Sequence, residues 1–136
     1  MLKEFKVQTK GHTDIIDITD EVAEAVRATG VTEGVALVFA AHSTVAITTI
    51  EHESGVVSDL KRILEKIAPE EADYEHHQRW GDHNGAAHIK SAILGTDFLV
   101  PVADGELVLG TWQQIILIDF DERPRERRIL VKIIKS

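Results

Sequence analysis

The sequence contains no cysteine, and this absence excludes disulfide bonds and every chemistry that needs a thiolate. The same absence fits a soluble intracellular protein, and we expect a cytoplasmic location. No apolar run is long enough to span a bilayer, and the N-terminal residues MLKEFKVQTK lack the apolar core of a signal peptide. We therefore expect no membrane partner.

Positive charge is also scarce, since 15 Lys and Arg stand against 23 Asp and Glu, for a net charge of −8. A general nucleic-acid binder needs basic side chains that neutralise phosphates, so the composition argues against that class. The chain has 136 residues, of which 43% are hydrophobic and 28% charged, as in ordinary globular proteins. We expect one domain over residues 1–136.

The hydrophobic pattern predicts an α+β fold. Residues 34–41 (GVALVFAA) are apolar on both faces, as expected of a central buried strand. The pair Asp104-Gly105 is a strong hairpin signal inside a β-rich final third. After Ser54-Gly55 the apolar positions from Val57 to Ile67 predict an amphipathic helix that Pro69 ends. The polar residues 70–84 show little periodicity and predict a long loop. The expected architecture is a mainly antiparallel, β-sandwich-like core with two to three helices.

Histidine is unusually frequent, with seven residues in the chain. Four of them, His76, His77, His83 and His88, are close in sequence, and His42 follows the predicted buried strand. Neutral imidazole is the commonest metal ligand, and a catalytic zinc ion usually has three protein ligands and an open position. No pair shows the helical spacing of a metalloprotease. The residues alone leave two interpretations open, a metal site and ordinary solvated loop histidines.

Three other features could serve either chemistry or structure. Glu51 closes a predicted strand and could act as a general acid or base, or could be an ordinary exposed glutamate. Asn84 precedes a probable helix start, where free backbone N–H groups can hold an anion one turn before His88, or where the residues simply suit packing. Trp112 and Gln113 could line a pocket, or could belong to a bulge with a core tryptophan.

The basic cluster Arg125, Arg127 and Arg128 could bind phosphate. Acidic residues surround it in the sequence, namely Asp119, Asp121, Glu122 and Glu126. This mixture of charges favours a paired surface.

Ordered motifs run through nearly the whole chain. They are His42-Ser-Thr with Glu51 nine residues on, Tyr74-Glu75-His76, Asp82-His-Asn84 with Ala87-His88, Ser91-Ala-Ile-Leu-Gly95, Pro101-Val102, Asp104-Gly105, Leu109-Gly110-Thr111-Trp112-Gln113 and Pro124-Arg125. With these motifs the chain resembles the YjbQ family, a widespread group of small proteins also labelled secondary thiamine-phosphate synthases. It differs at Ser43, where the family often has Thr, and at Gln114, where it often has Gly.

The resemblance implies a compact α+β fold, a homotrimer, and a site near the subunit boundary where histidines hold a divalent metal ion, which we expect to be zinc. It implies His76 and His88 as metal ligands, with His42 as the third. It further implies His42, Glu51 and Asn84 as catalytic groups that act as acid, base or orienting residue. The implied substrate contacts are Ser43, Thr44, Asp82, Trp112 and Gln113.

The activity attached to the family joins a hydroxymethylpyrimidine diphosphate to a thiazole phosphate with loss of pyrophosphate. A divalent cation and N–H donors at a helix start would suit such a transfer. The first hypothesis is therefore a metal-dependent enzyme that acts on a small phosphorylated or heteroaromatic substrate. A non-catalytic trimeric module that binds a metal or a ligand is the alternative, and a metal-assisted hydrolase would share the enzyme's site. Four protein ligands around a metal would favour the module, and an open position would favour an enzyme.

Overall fold

The computed structural model describes the backbone of residues 1–136 and every side chain except that of Trp80. Its elements in chain order are β1 (Leu2–Thr9), β2 (Asp14–Asp17), α1 (Thr19–Thr29), β3 (Gly34–Ala40), β4 (Val45–Ile50), α2 (Ser54–Ile67), α3 (Glu75–Trp80), α4 (Gly85–Leu94), β5 (Asp97–Ala103), β6 (Glu106–Leu107), β7 (Gln114–Asp119) and β8 (Arg125–Lys135). None of the helices described within residues 1–136 has the length and apolar content needed to cross a membrane.

The strands form two antiparallel sheets, and this confirms the predicted α+β fold. The large sheet has the strand order β1-β8-β3-β5-β6, and the small sheet has the order β2-β7-β4. Strand β3 is paired on both sides, with β8 and with β5. Its inward-facing residues Ala36, Val38 and Ala40 are fully buried. The apolar run therefore forms an interior strand of the sheet, as its sequence predicts, but only one of its two faces is buried.

Two apolar layers hold the sheets and helices together. Between the sheets, Val22 and Val26 of α1 pack with residues of both sheets, among them Val38 and Leu117. On the other side of the small sheet, apolar residues of α2 and α4 pack against β7 and its extension. This second cluster consists of Ile15, Ala46, Leu64, Ala87, Ile116, Ile118 and Phe120. Because β7 is covered on both faces, its residues alternate between two cores, and burial of each large side chain stabilises the fold by about 1.5–3 kcal/mol.

Helix α3 is the main difference from the sequence-based expectation. Residues 70–84 were predicted as a loop, yet Glu75–Trp80 are helical, so the chain has four helices rather than two to three. Six residues are too few to reveal a helical period in a polar segment. The N-terminal end of α3 packs closely on the start of α4. A Cβ added at Gly85 would lie 2.7 Å from the Cβ of Tyr74, the residue that directly precedes α3.

The outward face of the large sheet is apolar and exposed. Leu37 of β3 pairs with Leu99 of β5, and Val35 pairs with Ile134 of β8. Leu99 is 58% exposed and Ile134 is 55% exposed. Large exposed apolar patches mark sites of interaction more often than scattered single residues do.

Candidate functional site

A polar pocket of about 560 Å³ opens where β3, β4, β7, β8 and α4 begin or end. Three separate segments supply its walls: the turn between β3 and β4, the start of α4, and the turn between β7 and β8 together with the start of β8. The lining residues are Ala41, His42, Ser43, Thr44, Asn84, His88, Asp121, Arg125 and Arg127. The fold thus gathers at one edge of the sheets polar residues that are far apart in sequence.

A buried ion pair forms the base of this pocket. Arg127 donates from Nε to Asp119 Oδ2 at 2.7 Å and from Nη2 to Asp119 Oδ1 at 2.9 Å. Its Nη2 also donates to the hydroxyl of Thr44 at 2.7 Å. The hydroxyl of Thr9 donates to the same carboxylate at 2.5 Å. Asp119 is fully buried, and a charge in such a place is tolerated only when it is paired and hydrogen-bonded, as it is here.

Asp121 is the second buried carboxylate of the site. It accepts hydrogen bonds from the Thr44 hydroxyl at 2.9 Å, from Asn84 Nδ2 at 3.3 Å and from Arg125 Nη2 at 3.2 Å. Burial alone would raise the pKa of Asp121. Hydrogen bonds from the Glu122 backbone N–H and the Thr44 hydroxyl, together with the charge of Arg125, outweigh burial and lower this pKa below its ordinary value. Asp121 is therefore an anion at neutral pH.

His42 lies beside these groups with both ring nitrogens facing N–H donors. The backbone N–H of Arg128 donates to Nε2 at 2.9 Å, and Nδ1 lies 3.3 Å from Nη1 of Arg127. Burial lowers the pKa of His42, and the charge of Arg127 lowers it further, so the ring is neutral at pH 7. The structure thus places His42 in the pocket with an N–H donor beside each ring nitrogen. The implied ligand role would instead direct one ring nitrogen at a metal ion.

His76 and His88 are brought together although they lie on different helices. Their ring centroids are 4.5 Å apart. Burial lowers the pKa of His88, and the neighbouring His76 lowers it further, which favours the neutral imidazole that metal ligation needs. Asp82 lies next to this pair, with its Oδ1 3.2 Å from Nδ1 of His76. This distance does not represent a hydrogen bond, because neither atom has a partner in acceptable geometry.

Four buried polar atoms of the described side chains lack a hydrogen-bond partner. They are Nδ1 of His76, Oδ1 of Asp82, Oδ1 of Asn84 and Nε of Arg125. Native proteins leave few such atoms, and each one needs an explanation such as a bound ion or ligand. Asn84 and Arg125 line the pocket, whereas His76 and Asp82 belong to the adjoining group around His88. Among the described side chains, however, no three of His, Cys, Asp and Glu are already arranged around a metal position.

The other two histidines of the segment line a different cavity. His77 and His83 line a separate cavity of about 460 Å³ together with His12 and several carboxylates. The backbone N–H of Gly85 donates to Nε2 of His77 at 3.0 Å, which ties α3 to the start of α4. The four sequence-adjacent histidines therefore separate into two pairs, and His77 has a structural partner.

Three of the predicted site residues lie far in space from His42 within one folded chain, namely Glu51, Trp112 and Gln113. They lie at the far end of the small sheet, because β4 and β7 run antiparallel with Ile50 opposite Gln114. A six-residue strand such as β4 spans about 20 Å. Glu51 and Trp112 are exposed, and Trp112 at 72% exposure is not a core residue. One chain alone does not unite Glu51, Trp112 and Gln113 with the histidines.

The implied substrate contacts differ in their availability. Ser43 is exposed and lines the pocket, whereas the Thr44 hydroxyl is hydrogen-bonded to Arg127 and Asp121.

Asp121 and Arg127 are site residues that the sequence did not reveal, since the mixed charges around them favour a paired surface. The available signal was strand alternation: Arg127 shares the inward positions of β8 with Ile129, Val131 and Ile133.

Comparisons with known proteins place this geometry in a family. A UPF0047 protein from Archaeoglobus fulgidus is 40% identical over 95% of this chain and 98% of its own length. The UPF0047 protein YugU from Bacillus subtilis is 37% identical over 98% of each chain. The crystal structure of a YbjQ-like protein of unknown function from Sulfolobus solfataricus P2 has a TM-score of 0.93 at 34% identity, with 100% of this chain and 97% of that chain covered.

A further crystal structure from Clostridium acetobutylicum, described as an uncharacterized conserved protein of the yjbq/upf0047 family, has a TM-score of 0.88 at 38% identity. It covers 97% of this chain and 99% of that chain. The family model described as UPF0047 protein YjbQ-like matches residues 3–136. The chain is therefore a member of the YjbQ-like UPF0047 family, whose function is uncharacterised.

Proposed function

We propose that the protein is a metal-dependent enzyme that acts on a small phosphorylated or heteroaromatic substrate in the polar pocket. The observation that carries the proposal is the group of partnerless buried atoms at this edge of the fold. Three of them, on His76, Asp82 and Asn84, can offer lone pairs, and the fourth, on Arg125, is a donor. Such a set suits a cation beside an anionic substrate.

The residues around His76 and His88 fit a divalent ion. Zinc binds imidazole nitrogen and carboxylate oxygen at about 2.0–2.2 Å, so two ligand atoms of one ion lie about 3.0–3.5 Å apart. The 3.2 Å separation of His76 Nδ1 and Asp82 Oδ1 agrees with this spacing. His76, His88 and Asp82 would hold the metal, with Asn84 as a neighbouring oxygen donor. When bound, the ion would stabilise negative charge that develops on a phosphoryl group.

The chain's own residues would bind and orient the substrate. Arg125 and Arg127 supply positive charge at the pocket wall, and charge-assisted hydrogen bonds from arginine suit phosphate oxygens. Asn84 is held by its Nδ2 bond to Asp121 and keeps Oδ1 available to orient a substrate N–H or O–H group. His88, which is neutral at pH 7, can accept a proton when it is not ligated.

The resemblance supplies a named form of this activity, the thiamine-phosphate synthase-type transfer. In that reaction a C–N bond to the thiazole forms while the C–O bond to the diphosphate breaks, and pyrophosphate leaves. The arginines would stabilise the leaving group. A metal-assisted hydrolase would use the same pocket and differs in its substrate. A non-catalytic trimeric module that binds a metal or ligand is the alternative, and a metal enclosed by four protein ligands would favour it.

The proposal includes a homotrimer with the site near a subunit boundary. The exposed apolar face of the large sheet, with Phe39, Leu99 and Ile134, supports contact with further copies of the chain. A neighbouring copy could also bring the end of the small sheet that carries Glu51, Trp112 and Gln113 to the histidine pocket. Those residues could then act on a substrate that they do not reach within one chain.

The metal content tests the proposed function. Protein purified without a histidine tag should contain near-stoichiometric zinc or another divalent ion. His88→Ala should weaken metal binding by more than about 100-fold, since even outer partners of a metal ligand are worth about 10–100-fold. His83→Ala is the matched control and should retain the metal, because His83 lines a different cavity. Metal-free wild-type protein, or full occupancy in His88→Ala, would contradict the proposal.

The oligomer has its own test. Leu99→Asp places a charge on the apolar face of the large sheet, where Leu99 is 58% exposed. We expect sedimentation velocity to show a trimer for the wild type and a monomer for this variant, because burial of an unpaired charge is strongly unfavourable. Ile63→Asp, on the exposed side of α2, should leave the trimer intact. A wild-type monomer at micromolar concentration would exclude a site shared between subunits.

A further inference from the structure

The protonation of His42 follows from its hydrogen bonds. The backbone N–H of Arg128 donates to Nε2 at 2.9 Å. The guanidinium of Arg127, which lies 3.3 Å from Nδ1, is likewise a donor only, and a neutral imidazole has a single ring lone pair. The shorter contact assigns that lone pair to Nε2. A neutral imidazole then carries its proton on Nδ1. His42 therefore offers one N–H donor, at Nδ1.

This donor faces another donor. Nδ1 of His42 lies 3.3 Å from Nη1 of Arg127, and a guanidinium group has no acceptor. Nε and Nη2 of Arg127 are bound to Asp119, whereas Nη1 has no carboxylate partner among the described side chains. Two N–H groups thus lie side by side, and neither can satisfy the other. An acceptor atom placed next to both would satisfy both.

Arg125 adds a third donor to the same pocket. Its Nη2 donates to Asp121 at 3.2 Å, while its buried Nε has no partner among the described side chains. Asp121 is the one carboxylate that lines the pocket, and its oxygens accept from Thr44, Asn84 and Arg125. Its charge is therefore already compensated, and the remaining donors favour an anion.

We infer that His42, Arg125 and Arg127 form a subsite for a phosphate group, in which His42 acts as an N–H donor and not as a metal ligand. Donors from three side chains suit a tetrahedral oxyanion, which offers several acceptor oxygens to separate partners. A carboxylate offers two oxygens in one plane and fits this set less well. The inference rests on the proposed function for the identity of the substrate that carries the phosphate. It assigns to one wall of the pocket the anion and to the histidine pair the metal.

Calorimetric titration of the full-length protein with inorganic phosphate tests the subsite. Arg125→Gln should weaken phosphate binding by about tenfold or more, because a charge-assisted bond is lost. Arg123→Gln is the matched control, since it makes the same charge change two residues earlier in the chain, at a residue that does not line the pocket. Acetate should bind more weakly than phosphate. Absence of phosphate binding, or equal weakening in both variants, would overturn the inference.

Nitrogen NMR of the histidine rings gives a readout that does not depend on a variant folding. We expect the Nδ1–H tautomer for His42 in the wild type, with a shift of its Nδ1 resonance on addition of phosphate. The Nε2–H tautomer would overturn the inference.

The measurement of metal content distinguishes failure of the phosphate subsite from failure of the proposed function. Phosphate binding without any bound metal would support the subsite and contradict the metal-dependent enzyme. Loss of the metal in His42→Phe, with the metal retained in His83→Ala, would make His42 a metal ligand, and this result would overturn the subsite and support the enzyme.

Discussion

Arg127→Met is expected to lower the free energy of unfolding by about 3–5 kcal/mol, the range found when one partner of a buried ion pair is removed. Asp119 is fully buried and receives two hydrogen bonds from Arg127, so the variant would leave a buried carboxylate without its counter-charge. Thr44 would lose a donor as well. Methionine fills much of the same space, which confines the change to charge and hydrogen bonding.

Urea unfolding followed by circular dichroism measures this effect. Arg128→Met is the matched control, because Arg128 is the next residue along β8 and is exposed. It pairs with Glu4 at the surface, and such pairs contribute about 0–1 kcal/mol. Similar losses in the two variants would show that the buried pair has no special role. Arg127→Lys should fall between wild type and Arg127→Met, since an ammonium group cannot engage both carboxylate oxygens in the same way.

Arg127 connects stability with the candidate site. The same guanidinium that neutralises Asp119 below the pocket places Nη1 against His42 at the pocket wall. A side chain held by several buried bonds has little freedom, so the pocket donors are fixed before any ligand arrives. The ion pair would thus contribute to preorganisation of the site as well as to the fold.

Most of the fold could be predicted because its signals are local. The run at residues 34–40 is apolar at every position, and this pattern indicates a strand in the interior of a sheet, although one face of β3 is not buried in the structure. Asp104 and Gly105 both adopt positive φ angles, 53° and 75°, as the hairpin signal indicated. The apolar stripe from Val57 to Ile67 predicted helix α2, which begins at Ser54 in the structure. Each of these features depends on a few neighbouring residues.

The candidate site depends on distant residues, and much less of it could be predicted. Arg127 and Asp119 look like surface charges when read beside Glu122 and Glu126. They become buried partners only because β7 and β8 meet at this edge with both side chains directed inward. Burial of a charge is decided by its partner, and one sequence does not reveal which residue that partner is.

Closeness in sequence did not predict closeness in space for Glu51 and His42. Glu51 follows His42 by nine positions, but strand β4 lies between them, and a strand of this length spans about 20 Å. His76 and His88 are further apart in sequence, yet the turn between α3 and α4 brings their rings within 4.5 Å. Helices and turns shorten the distance between residues, whereas a strand lengthens it.

Asp121→Asn is expected to lower stability at about pH 7 by roughly 1–3 kcal/mol, the cost of leaving buried hydrogen-bonding groups unsatisfied. The amide replaces one acceptor oxygen with a donor, while the Thr44 hydroxyl, Asn84 and Arg125 all donate to this position. Asp104→Asn is the control, because it makes the same chemical change in an exposed turn. Equal urea midpoints for the two variants would contradict the assigned role of Asp121.

The pH dependence of the same variant carries a second expectation. The folded-state pKa of Asp121 lies below its ordinary value of 3.8, so the unfolded chain takes up this proton at higher pH than the folded protein does. The resulting stability is complete above the unfolded pKa and is lost as the pH falls through the folded pKa. Below about pH 4 the wild type should therefore lose stability more steeply than Asp121→Asn, which has no carboxyl group to protonate. Parallel curves would mean that the hydrogen bonds to Asp121 do not distinguish its charged form, and the pocket would then lack the fixed anion that anchors Arg125.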